Sequence, residues 1–364
     1  MAVKIITCTV TNDLNFDQRM IRICTSLQKA GYEVQLIGRK KKSSKPLEEK
    51  AFMQKRLPCF FQKGKLFYME YNLRLFLYLL FVKSDVFCAI DLDTILPNLW
   101  VSKLRGKLRV YDAHELFCEM EEIVSRPMIH KIWKGIENYA VPQYQKGYTI
   151  GDCYAQEFRN LYNVQYEVIR NATVLKPFDP TVISTRDYIL YQGAVNEGRS
   201  FETLIPAMKD VNCRLIICGE GNFFDQAKNL VLQHGLTDKI SFMGYVEPNQ
   251  LRHYTENALV GITLFTNAGK SNFLSMANRF FDYMHHAVPQ LCVDFPEYRK
   301  VNAAFEIACL IKDTNSKTIS DALNHLLNNP NALDKMRENC LKAREVYCWQ
   351  EEEKKLLSFY HQLS

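Results

Sequence analysis

Four short segments combine glycine with hydrogen-bonding side chains in a way that suits a phosphorylated ligand. They are Gly193-Ala194-Val195-Asn196-Glu197-Gly198-Arg199, Cys218-Gly219-Glu220-Gly221, Gly244-Tyr245 and Thr266 to Ser275. Glycine lets backbone N–H groups come close to a ligand, and Arg199 offers a planar fork of donors that matches phosphate oxygens near a helix start. Each loop by itself also fits an ordinary tight turn between a strand and a helix. Two familiar phosphate devices are missing. Gly219-Glu220-Gly221 has Phe224 where a dinucleotide fingerprint needs its third glycine, and no G-x-x-x-x-G-K-[ST] occurs. Hydride transfer and P-loop phosphoryl transfer are therefore disfavoured. The twelve cysteines are scattered with no C-x-x-C pair, which suits reduced, mostly buried thiols rather than a disulfide framework or a zinc site.

Loops of this kind need strands behind them, and strand and helix signals alternate along the whole chain. Strands are expected at Val3 to Val10, Tyr32 to Ile37, Val86 to Ile90, Arg109 to Tyr111, Gly147 to Ile150 and Tyr166 to Ile169. From Asp17 to Ala30, Met20, Ile23, Cys24 and Leu27 follow the spacing of one helix face, and Gly31 stops the helix. A second series of strands is expected at Tyr188 to Tyr191, Arg214 to Ile217, Ile240 to Phe242, Val260 to Thr263, Gln290 to Cys292 and Cys309 to Ile311. Helices near Phe201, Phe223, Pro248, Asn278 and Thr318 separate them, and Glu345 to Leu363 reads as one long terminal helix. Asn171 to Arg186, with Pro177 and Pro180, is the expected linker. Two doubly wound parallel sheets are thus expected, and their ligands should bind at loops beyond the carboxyl ends of the strands, in a cleft between them. A length of 364 residues agrees with two domains.

The net charge of +6 is concentrated. Arg39 to Lys65 holds ten Lys or Arg against two Glu, and the aromatic, apolar run Leu66 to Val82 follows it. Basic residues beside exposed aromatics suit peripheral binding to an anionic membrane, although a solvated loop before a core helix has the same pattern. Nucleic acid is a poorer match, since no recognition motif accompanies the charge. The longest apolar run, Leu75 to Val82, is eight residues, far short of a membrane span, and Met1 to Val10 lacks the features of a signal peptide. A cytoplasmic protein is expected.

Taken in order, the motifs resemble the family-4 retaining glycosyltransferases of the GT-B fold. The second half carries the likeness most strongly, in YQGAVNEGRSFETLIPAM (Tyr191 to Met208), LIICGEG (Leu215 to Gly221), KISFMGYVEPNQL (Lys239 to Leu251) and SNFLSMANRFFDYMHHAVPQL (Ser271 to Leu291). The first half contributes DLNFDQRMIRICTSLQKAGYEV from Asp13, DLDTILPNLWVSKLRGKLRVYDAHEL from Asp91 and VIRNATV from Val168. The resemblance implies an acceptor-binding Rossmann-like domain over 1–175, a nucleotide-sugar-binding one over 176–345, and a terminal helix, 346–364, that returns to the first.

It also implies roles for individual residues. Gly193, Arg199 and Gly219 would hold the donor diphosphate, Gly244 and Tyr245 would lie beside the base, and Ser271 and Asn272 would reach the phosphates and donor sugar. Asp282 stands at the second acid of the family's E-x7-E motif, which binds ribose hydroxyls. His114, in YDAHE, would contact the transferred sugar and, with Arg199, form the catalytic pair. Asn12, Asp13, Asp17, Arg19, Asp112 and Glu115 would line the acceptor side, although Asp17 and Arg19 also fit a helix cap and a surface pair. Leu274 replaces the first acid of E-x7-E, Ala194 replaces a phosphate-binding arginine, and Asn12, Asp13 and Asn15 replace the glycine pair of the first loop. Asp91-Leu92-Asp93 matches a D-x-D metal motif but lies in the acceptor half, and the family works without a metal or other cofactor. The implied reaction moves a sugar, with retention, from a UDP- or GDP-linked donor to a saccharide or lipid-linked acceptor, as in cell-surface polysaccharide synthesis. A non-catalytic nucleotide-sugar-binding protein and a GT-B sugar-nucleotide epimerase are the alternatives.

Overall fold

The computed structural model describes residues 4–15, 17–178, 186–267 and 269–363. The part of the expected linker that holds Pro180 lies outside them, as do Val3 and Ala268. The chain divides into two compact units. The first comprises Met1–Asn171, Gly269–Ser271 and Glu352–Ser364, and the second Ala172–Ala268 and Asn272–Glu351.

The first unit is built on a seven-stranded sheet of β1 (Ile5–Thr9), β2 (Glu33–Lys40), β3 (Met53–Pro58), β4 (Val86–Ile90), β5 (Leu108–Ala113), β6 (Gly147–Thr149) and β7 (Glu167–Val168). All neighbours are parallel, in the order β3-β2-β1-β4-β5-β6-β7. The second unit has six parallel strands, β8 (Tyr188–Gln192), β9 (Arg214–Cys218), β10 (Ile240–Gly244), β11 (Ala258–Thr263), β12 (Gln290–Val293) and β13 (Ala308–Ile311), in the order β10-β9-β8-β11-β12-β13. Central strands β4 and β8 are buried at every position. Helices cover both faces of such sheets, so these strands read as continuous apolar runs and not as alternations. Chain order reverses between β1 and β4 in one sheet and between β8 and β11 in the other. Loops beyond the carboxyl ends of the strands at such switch points are where open parallel sheets bind ligands.

Two expectations need correction. The basic stretch is not a plain loop, because Met53–Pro58 forms edge strand β3 against β2. Two of its cations also point inward: Arg56 is ion-paired with buried Asp13, and the Arg39 guanidinium lies 3.9 Å from the centre of the Phe67 ring. The expected terminal helix starts later than Glu345, as Trp349–His361, which opens on a buried Trp349 and follows the separate helix Pro330–Val346. The apolar run after the basic stretch is a helix, Gly64–Phe81, that buries only Phe67, Tyr71, Leu75 and Leu79.

Candidate functional site

In the first unit the loops after β1, β4 and β5 converge on one charged network. Asp17 caps the helix Gln18–Lys29, its Oδ1 accepting the Met20 N–H at 3.0 Å, and its Oδ2 accepts from Asn12 Nδ2 at 3.0 Å. The surface-pair reading fails for Arg19, which is buried. Its Nη2 donates to Asp112 Oδ1 at 2.9 Å, its Nη1 to the Ile169 carbonyl at 3.2 Å, and its Nε to His114 Nε2 at 2.7 Å. Asp112 Oδ2 lies 2.9 Å from the same imidazole nitrogen and has no other donor among the described residues. One ring nitrogen serves one neighbour at a time. The neutral ring accepts from Arg19, and the imidazolium donates to Asp112. Burial alone would lower the His114 pKa, but the Asp112 and Asp91 carboxylates outweigh it and raise the net value. Asp112 is also buried, which by itself would raise its pKa, yet Arg19 and His114 hold it below the usual carboxylate range.

Asp91 follows β4 with φ 53° and ψ 177°, a conformation that costs a non-glycine residue about 1–3 kcal/mol. That geometry aims its carboxylate across the sheet end. Oδ1 accepts the His114 N–H at 2.7 Å and the Glu115 N–H at 3.3 Å, while Oδ2 lies 3.5 Å from His114 Nδ1. Burial raises the Asp91 pKa to about 7, with His114 opposing and Asp93 and Glu115 reinforcing the shift. Asp93 is raised to about 6 by burial, against the 2.6 Å hydrogen bond it accepts from Thr11 Oγ1. Asp91 therefore clasps the His114 strand end, while Asp93 holds the loop after β1 through Thr11. Asp13 goes elsewhere, under Ser44 and Arg56. Glu115 meets Ser271, whose hydroxyl donates to Glu115 Oε2 at 2.9 Å and lies 2.7 Å from Tyr154 Oη. Ser271 is thus buried in the first unit beside an expected acceptor-side acid.

In the second unit the glycine loops pack on one another. Gly193 N–H donates to the Cys218 carbonyl at 3.0 Å, and Gly219 N–H to the Gly244 carbonyl at 2.8 Å. A Cβ on Gly219, at φ +147°, would fall 1.9 Å from the Gly193 carbonyl oxygen. These glycines permit loop-to-loop contact, and their amides are occupied. Arg199 Nη1 donates to Asn272 Oδ1 at 3.3 Å, joining two expected donor residues, and its guanidinium sits 4.3 Å from the Phe265 ring centre. Asp282 lies on the helix Asn278–His285 and accepts from Thr173 Oγ1 at 2.6 Å and Gln192 Nε2 at 3.2 Å. Exposed Tyr245 donates its N–H to Glu220 Oε1 at 3.3 Å.

Sequence reasoning missed Arg279. It is buried one turn before Asp282, its guanidinium 4.6 Å from the Tyr191 ring centre and 4.8 Å from that of Phe265. Nη1 donates to Tyr191 Oη at 3.2 Å and to the Gln192 carbonyl at 3.4 Å. The available signal was an arginine on the same helical face as buried Tyr283, four residues on.

Two Rossmann-like parallel-sheet units make this the α/β fold of the GT-B glycosyltransferases, as comparison with solved structures bears out. Sucrose-phosphate synthase from Thermosynechococcus elongatus is similar with a TM-score of 0.84 at 15% identity, covering 99% of both chains. A glycosyltransferase from Rickettsia africae gives 0.77 at 11%, covering 100% of this chain and 99% of that one. HepE of Anabaena, solved with UDP, gives 0.71 at 10%, covering 98% of each. Residues 176–343 match the family model described as Glycosyl transferases group 1. No curated protein sequence matches the chain.

Proposed function

We propose that the protein is a metal-independent, retaining glycosyltransferase that uses a UDP- or GDP-linked sugar. The observation that carries this reading is the coincidence of the family match, over 176–343, with an Arg199–Asn272 hydrogen bond after β8 and with Asp282 bound to Gln192 at the end of β8, at the β8/β11 switch point. A nucleotide sugar already has a good leaving group, so the protein's task is to stabilise charge on the departing diphosphate and to orient the acceptor hydroxyl. Arg199 suits the first task, and Asp282 the ribose hydroxyls. His114, fixed between Arg19, Asp112 and Asp91, suits contact with the transferred sugar. In the proposed step the bond from the anomeric carbon to the diphosphate oxygen breaks. The acceptor oxygen bonds to that carbon on the same face, and its proton passes to the departing phosphate.

A thermal-shift panel of UDP, GDP and ADP tests the nucleotide reading, because a ligand at 100 times its Kd adds about 2.7 kcal/mol of stability. No shift with any of them contradicts it. Turnover that EDTA abolishes and a divalent ion restores contradicts metal independence, and an inverted anomeric signal in the product contradicts retention.

The acceptor is proposed to be reached at an anionic membrane surface. Among the described residues no helix is long and apolar enough to cross a membrane. The helix Gly64–Phe81, however, exposes Met69, Leu73, Leu77 and Phe81 at a spacing of four, and Lys40, Lys41 and Lys42 are exposed in the same unit. An apolar stripe with nearby lysines matches an interface of acyl chains and anionic headgroups. Leu73→Glu with Leu77→Glu is expected to abolish sedimentation with vesicles containing anionic lipid. Removing the three lysines should weaken it and leave nucleotide binding intact. Equal binding to neutral vesicles would refute the electrostatic part.

A further inference from the structure

A buried cation is costly unless something neutralises it, and most buried arginines have a carboxylate beside them. Arg279 is 8% exposed and forms no ion pair among the described residues. Its contacts are a phenol, two backbone carbonyls and two aromatic faces. One of the carbonyls, that of Leu264, is 3.5 Å from Nη2, and Nε has no acceptor among the described residues. The guanidinium lies directly under the first glycine loop, where a Cβ on Gly193 would come within 3.2 Å of Nη1. Phe265 is shared with Arg199, so two cations bear on one ring. Asp282, three residues along the same helix, directs its carboxylate to Thr173 and Gln192. The protein has brought positive charge to the β8 end and, among the described residues, supplied Arg279 with no anion of its own.

We propose that Arg279 is a donor-site positioning residue whose uncompensated charge is neutralised by the diphosphate of a nucleoside diphosphate. This rests on the nucleotide-sugar reading above. It assigns affinity for the diphosphate to a buried charge as well as to Arg199. Counter-ions screen surface charges strongly and buried ones weakly, so this part of the affinity should survive added salt.

The test compares binding of a nucleoside diphosphate with binding of the corresponding nucleoside by titration calorimetry, using the nucleotide that gives the larger thermal shift. Arg279→Gln should weaken the diphosphate 10- to 100-fold and leave the nucleoside within about threefold, whereas Arg279→Lys should recover most of the loss. Diphosphate binding by Arg279→Gln at the level of the unaltered protein overturns the proposal. So does an equal loss of both ligands, which marks Arg279 as a prop for the Tyr191–Gln192 backbone only. If Arg279→Gln does not fold, the unaltered protein decides. Its preference for diphosphate over nucleoside should persist within about threefold at 0.5 M NaCl, and collapse of that preference overturns the proposal. Failure of the unaltered protein to bind either ligand overturns the nucleotide-sugar reading itself.

Discussion

Arg19 and Arg279 are both buried arginines at the switch point of a parallel sheet, and they are neutralised in opposite ways. Arg19 meets Asp112, His114 and a backbone carbonyl, so the first unit satisfies its own charge. Arg279 meets no carboxylate among the described residues, and the charge beneath the second unit's glycine loops awaits a partner. The difference suggests a division of labour. A self-compensated network makes a stiff, nearly neutral frame, suited to orienting uncharged hydroxyls, whereas an uncompensated cation suits an anionic donor.

Removing each device should reveal this contrast. Arg19→Met leaves Asp112 buried without its cation and is expected to cost about 3–5 kcal/mol, read as a lower urea midpoint. A change below 1 kcal/mol would show that His114 alone can hold Asp112. Gly219→Ala places a Cβ against the Gly193 carbonyl in a left-handed backbone. It should cost about 2–4 kcal/mol and reduce nucleotide binding, whereas nucleotide binding at full strength would mean that the loops do not need their mutual contact.

The third prediction concerns pH. The folded pKa of Asp91 is raised to about 7, so its contribution to stability is fully present below about pH 4 and is lost as pH climbs through 7. The raised His114 pKa acts in the same direction. Measured against Asp91→Asn, so that lowered pKa values elsewhere, as at buried His285, cancel, this contribution should fall by about 2–3 kcal/mol between pH 5 and 8. Asp91→Asn keeps an oxygen for the His114 and Glu115 amides and should flatten that slope, and an unchanged slope would remove Asp91 from the network's titration. The smallest effect is expected at the edge of the network, where Asp17→Ala removes the helix cap at about 1 kcal/mol.

Much of this architecture was legible because buried parallel strands announce themselves as apolar runs, as Val86–Ile90 and Tyr188–Gln192 do. Strand β3 was hidden because Gln54, Lys55 and Arg56 occupy an edge strand that pairs only with β2, so it carries no apolar pattern. The glycine loops were found by composition, but their amides serve neighbouring strands, which spacing does not disclose. His114 and Arg199 were visible through motif order. Arg279 was not, since what distinguishes it is the absence of a nearby acid, and proximity in space is not written along the chain. Asp91 looked like half of a metal motif, and only its strained backbone reveals the strand-end clasp.

The most direct measurement of the central claim is hydrogen–deuterium exchange with and without the nucleotide that gives the larger thermal shift. The account predicts slowed exchange in the second unit, at residues 193–201, 244–247 and 278–285, with the Arg19, Asp91 and Asp112 segments little changed. Protection confined to those first-unit segments, with none at the glycine loops, would contradict it.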